Sequence, residues 1–139
     1  MLLAVLSVVA AGCAPTPVDA FGPFGRGMPP VRAKIGTGHV LTGVVLSSAG
    51  CRPLRHARVE LWQSSANGQY TTRGSATVFT DRDGRFRFEG PQPPQYEGLP
   101  PHIHIRVIAR NHLTLVTRYV VPPGERRGEI RLVLRPAPL

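Results

Sequence analysis

From His39 onward the chain is cut into short runs rich in Val, Leu, Ile, Phe and Thr, separated by Gly, Pro and Asp-Gly punctuation. No long stretch holds a helical period. Short apolar runs bounded by turn residues are the mark of strands. The pattern predicts seven of them, near 40–47, 57–63, 76–80, 85–89, 102–109, 113–120 and 129–135. Seven short strands predict an all-β domain, a single β-sandwich over residues 39–139. Asp81-Arg82-Asp83-Gly84 lies between two of them. It predicts a tight hairpin, because Gly tolerates the positive φ that such turns require.

The N-terminal region breaks the pattern. MLLAVLSVVAAG at 1–12 is an unbroken run of apolar and small residues, too short to span a bilayer at about 20 residues per crossing. It reads as an export signal. Cys13 follows Ala10-Ala11-Gly12, which resembles the lipobox of bacterial lipoproteins, although no Lys or Arg precedes the run and Ala10 stands where Leu is favoured. Residues 1–13 are therefore expected to be a signal and lipobox segment with Cys13 lipidated and the protein membrane-anchored on an exported face. A cleaved secretory signal and an uncleaved hydrophobic tail are the alternatives. Residues 14–38 are rich in Pro and Gly without apolar period, and are expected to form a tether of little order. With Cys13 lipidated, Cys51 is a small buried hydrophobe; without lipidation, Cys13 and Cys51 can pair.

At 139 residues there is room for one domain, and 17 basic against 8 acidic residues leave a net charge of +9. Such a balance raises nucleic acid as a partner. All but one of the basic residues are Arg, scattered rather than clustered, with few aromatics among them to stack bases. An anionic small substrate or an anionic membrane surface fits better than nucleic acid.

The candidate chemistry lies in four residues. His102-Ile103-His104 falls in a predicted strand, where alternate side chains share a face, so both imidazoles point one way. Tyr96 ends the Pro-rich loop QPPQYEGLPP, and Tyr70 follows the turn-like Ser-Ala-Asn-Gly-Gln. Taken singly, each is an ordinary strand or loop residue. Together they offer two phenol oxygens and two imidazole nitrogens, a mixed hard and borderline donor set that favours a ferric ion over thiolate-seeking metals. Zinc more usually recruits Cys, His and carboxylate.

These residues sit inside longer phrases. LTGVVLSSAGCRPLRHARVELWQSSANGQY, TDRDGRFRFEGPQPPQY, PPHIHI, LVTRYV and EIRLVLRP resemble, in order, the core of the intradiol ring-cleaving dioxygenases. The resemblance runs from about Leu41 to Pro136. It implies a transthyretin-like (prealbumin-like) sandwich and a non-haem Fe(III) that binds a catechol through both oxygens, with O2 breaking the bond between the hydroxylated carbons. By motif, Tyr96 and His102 correspond to the axial ligands and Tyr70 and His104 to the equatorial ones, Tyr96 being the one that leaves. The family's Arg three residues before the first His is Leu99 here, and its Gln in the following strand is Arg118. Arg118, or Arg106 on the histidine face, is the candidate replacement cation. The pocket-forming insertions of larger members are absent, which implies a shallow, open site. The phrases GVVLSSAGCRPLRHARVEL and TDRDGRFRF also resemble non-catalytic carboxypeptidase-regulatory and transthyretin-like binding modules, which need none of the four donors.

Overall fold

The computed structural model describes residues 13–19 and 28–138. The expected export signal at 1–12 lies outside the described residues. β1 spans His39–Ser47, β2 Arg58–Trp62, β3 Ser75–Phe79, β4 Arg85–Gly90, β5 His102–Ile108, β6 Leu115–Val120 and β7 Arg127–Leu134, with a 3-10 turn at Thr72–Gly74. Each predicted strand is present, its ends moved by at most two residues. The strands form two sheets, ordered β4-β1-β7 and β3-β2-β5-β6. β1 runs parallel to β7 and antiparallel to β4, and the second sheet is antiparallel throughout.

Strand alternation builds the core. Leu41 and Val45 of β1, Val59 and Leu61 of β2, Phe86 and Phe88 of β4, and Ile103, Ile105 and Val107 of β5 pack into one cluster between the sheets. Burying each such side chain contributes about 1.5–3 kcal/mol. Gly43 shares the inward row of β1, and a Cβ there would lie 2.3 Å from the Phe86 ring. Its missing side chain is what lets that ring cross β1.

Two expectations are corrected. The Asp81–Gly84 turn is tight, with Gly84 N–H donating to the Asp81 carbonyl and the Asp81 carboxylate accepting from Asp83 and Arg85 N–H. It is not a hairpin, because β3 and β4 belong to different sheets. The turn arches from one layer of the sandwich to the other. The second correction concerns the tether. Residues 30–35 pair first with the β3 edge, through Pro30, Arg32 and Thr77, and then with the β4 edge, through Ala33, Ile35 and Glu89. Residues 16–19 do the same on the opposite side, bonding Val133 of β7 and Val116 of β6. Pro and Gly disfavour regular elements, but an open sheet edge carries unpaired N–H and C=O groups that such a segment can satisfy.

The start of this segment is fixed covalently. Cys13 is joined to Cys51 in a disulfide with Cα atoms 5.2 Å apart, and Cys13 is buried. A sulfur so bonded is not available for acylation, so this pairing and a lipidated Cys13 exclude one another.

Candidate metal centre

On β5, Ile103, Ile105 and Val107 turn into the core, and His102, His104 and Arg106 turn to the opposite face of the four-stranded sheet. Register aligns Trp62 of β2, His104 of β5 and Arg118 of β6 in one row. Outward-facing residues are normally solvated, yet His102 and His104 are only 3% and 1% exposed. The loops that follow β2 and β4 roof them.

Both loops leave the same end of the sandwich and are stitched at their stems. The buried Gln63 donates its side-chain amide to the Pro91 carbonyl at 2.9 Å, and its backbone N–H bonds the Gly74 carbonyl. The first loop turns at 65–69, with Gly68 at φ 79°, and presents Tyr70. The second turns at 96–99, where Glu97 and Gly98 both take positive φ and Leu99 N–H returns to the Tyr96 carbonyl. That is a type I′ turn, with Tyr96 at its first position. A Cβ on Gly68 would approach the Tyr96 ring to 3.1 Å, so the Tyr70 loop packs directly on the Tyr96 side chain.

The four sequence-predicted donors converge. The hydroxyls of Tyr70 and Tyr96 are hydrogen-bonded to each other. His102 Nε2 lies 3.2 Å from Tyr70 Oη, 3.5 Å from Tyr96 Oη and 3.2 Å from His104 Nε2. His102 Nδ1–H donates to the Pro100 carbonyl at 2.8 Å, which leaves the Nε2 lone pair aimed into the cluster. Pro100, just before the strand, thus presents the carbonyl that sets the tautomer.

The set fits a metal. A cation about 2 Å from each donor separates neighbours by about 2.8 Å at a right angle and about 3.5 Å at 120°, and the nitrogen-bearing edges of 3.2–3.5 Å fall in that interval. Among the described residues no group of three or more His, Cys, Asp or Glu side chains gathers for a metal, so a centre here depends on the tyrosines. Two hard phenol oxygens beside two imidazoles suit a ferric ion.

Electrostatics agree on the protonation states. Burial pushes the Tyr70 phenol well above its ordinary range, helped by the hydrogen bond and charge of Tyr96 and opposed by Arg118. Burial also pushes His104 down to about 4, with His102 and Arg118 adding to the shift and Asp19 opposing it. The imidazole is therefore neutral at pH 7, the state a metal donor requires. The phenol stays protonated until a cation displaces its proton.

The two candidate arginines differ in what holds them. Arg106 Nε donates to Glu60, which is fully buried and also accepts from Arg58 at 2.9 Å, and its guanidinium lies 5.1 Å from the Trp62 ring centroid. Strand parity placed it on the histidine face, but its charge is spent on Glu60. Arg118, directly opposite His104, pairs through Nε with Asp19 at 2.7 Å and acts electrostatically on both Tyr70 and His104. Sequence reasoning missed Asp19 and Gln63. Gln63 ends the ARVELWQ phrase, which by itself gives it no role, while Asp19 carries no local motif, and only the return of residues 13–19 to the β6 edge brings it here.

The four donors lie within the part of the chain that a known family matches. A family model described as dioxygenase matches residues 27–125. Hydroxyquinol 1,2-dioxygenase of Rhodococcus opacus is 31% identical over 117 residues, covering 64% of this chain and 38% of that protein. The protocatechuate 3,4-dioxygenase beta chain of Burkholderia cepacia is 32% identical over 106 residues, covering 62% and 45%. The chain thus spans less than half the length of these two relatives. The dioxygenase domain of a dioxygenase and carbohydrate-binding fusion from Streptomyces sp. SirexAA-E shares the fold, with a TM-score of 0.77 over 89% of this chain and all of that one, at 24% identity. A model that matches well over half of the chain, around four donors already assembled by the fold, sets the binding-module alternative aside: the chain belongs to the intradiol ring-cleavage dioxygenase family.

Proposed function

We propose that the protein holds one ferric ion through Tyr70, Tyr96, His102 and His104 and uses O2 to cleave a catechol-type diol between its two hydroxylated carbons, giving a cis,cis-muconate-type acid. The observation that carries this reading is the convergence of two phenol oxygens and two imidazole nitrogens, one of them tautomer-locked by Pro100. The relatives named for hydroxyquinol and protocatechuate support a catechol-class substrate.

When bound, the ferric ion supplies orientation of both catechol oxygens and electronic activation of the ring. The protein's residues divide the remaining work. His102 and His104 lie on a central strand and stay fixed. Tyr96, on its type I′ turn, corresponds by motif to the donor that moves aside, and its Oη would then be placed to take a catechol proton. Arg118 supplies positive charge beside the ring, where low solvent access makes it worth more than in water. Leu99, half-buried after the turn, has no charge to give. The test is aerobic incubation of iron-loaded protein with catechol, protocatechuate and hydroxyquinol. Equimolar loss of O2 and diol with a ring-opened diacid as product is expected; absence of oxygen uptake across a broad catechol panel contradicts the proposal.

We also propose export, on the apolar run at 1–12 and the Cys13–Cys51 disulfide, a bond that persists in oxidising compartments. The intact mass of protein recovered from a producing cell is expected to show an oxidised cysteine pair. An acyl mass on Cys13 with a free Cys51 thiol would instead restore the lipoprotein reading.

A further inference from the structure

Arg118 reaches the donor cluster from a strand edge, and an arginine on an edge strand has several solvated rotamers open to it. In this chain something holds it. Asp19 Oδ2 accepts from Arg118 Nε at 2.7 Å, engaging one side of the guanidinium fork and so setting the plane of the rest. Asp19 is itself held. Its backbone N–H donates to the Val116 carbonyl at 2.9 Å, two residues before Arg118 on the same edge. Three residues earlier, Thr16 N–H donates to the Val133 carbonyl, and the Thr16 hydroxyl accepts from Val133 N–H at 2.8 Å. Three residues before that, Cys13 is bonded to Cys51, at the far end of β1.

We propose that Asp19 is a positioning residue for Arg118, and that the Cys13–Cys51 disulfide staples the 13–19 segment so that Asp19 holds the guanidinium of this register partner of His104. Three independent features carry it: the ion pair, the edge ladder of residues 16–19, and the covalent anchor. The role differs from plugging a sheet edge, which the backbone of residues 16–19 accomplishes whatever the side chain at 19. The carboxylate is what engages the arginine. A residue that tunes the site thus arrives from outside the strands that carry the metal donors, and reducing the disulfide frees it. This extends the proposed function and rests on it for its kinetic readout.

The test compares the full chain with Asp19→Asn and Asp19→Glu, each loaded with ferric ion, in oxidised and reduced forms. Asp19→Asn is expected to keep its iron, to speed hydrogen exchange at Arg118 Nε–H, and to lower kcat about tenfold with little change in KM. Asp19→Glu is expected to recover most of both. Reducing the disulfide in the parent is expected to reproduce the Asp19→Asn behaviour and to add little to that variant. Parental exchange and kcat in Asp19→Asn, or an Asp19→Glu variant no better than Asp19→Asn, overturns the positioning role. Reduction without effect on the parent overturns the staple. Should the parent itself prove inert toward catechols, the ring-cleavage reading fails, while Arg118 Nε–H exchange and the phenolate-to-iron absorption band still decide whether Asp19 holds Arg118.

Discussion

Replacing His104 with alanine is expected to strip the protein of its iron. The imidazole is 1% exposed and sits on a central strand, in line with Trp62 and Arg118, and neither an indole nor a guanidinium can take over as a metal donor. Disturbing even an outer-shell partner of a metal ligand typically costs 10- to 100-fold in affinity, and losing a ligand outright is expected to exceed about 100-fold. Iron per chain after gel filtration reads this directly. A companion effect belongs to the iron-free protein. His104 is held near 4 by burial, below its unfolded value of 6.5, so the unfolded chain binds a proton that the folded one refuses. Stability is therefore expected to fall as pH drops from about 6.5 toward 4. A melting series on iron-free parent should show this component, and His104→Ala should lack it; near-stoichiometric iron in His104→Ala would contradict the ligand assignment.

Arg118→Ala is expected to leave iron in place and reduce turnover by about 100-fold, the scale of losing one preorganised charge-stabilising group. Its guanidinium is not one of the four proposed donors and acts on Tyr70 and His104 electrostatically. Metal retention and catalysis should therefore separate. Arg118→Lys keeps the charge but loses the fork that Asp19 engages, and is expected to fall between parent and alanine. Equal turnover in parent and Arg118→Ala would show that the loss of the family arginine at Leu99 is compensated elsewhere. Arg106→Ala should behave differently. It leaves the buried Glu60 with Arg58 as its remaining ion-pair partner, a destabilising change, so its effect should appear first in melting temperature.

How much of this was legible beforehand depends on whether the governing physics was local. The seven strands were, because alternation and turn residues are written into each segment. The histidine pair was too, since two residues apart on a strand means one face. The Asp81–Gly84 turn misled because the chemistry of a tight turn is the same whether it joins strands within a sheet or arches between layers; the choice is made by what β3 and β4 pack against. The 14–38 segment misled because composition reports intrinsic preference, while the order at 16–19 and 30–35 comes from sheet edges supplied by distant strands. Parity could put Arg106 and Arg118 on the histidine face but could not distinguish them, because their acidic partners, Glu60 and Asp19, are set by tertiary placement. The two tyrosines were readable only through their flanking phrases: each lies on a loop, where periodicity says nothing about direction.

The central claim is that four side chains from two loops and one strand form a single ferric site. Titrating iron-free protein with ferric ion while recording the visible spectrum tests it most directly. One equivalent per chain is expected to develop an intense red-brown phenolate-to-iron band, diminished in Tyr70→Phe and shifted in Tyr96→Phe. Protein that remains colourless at saturating iron, or a band untouched by both tyrosine substitutions, would contradict the account.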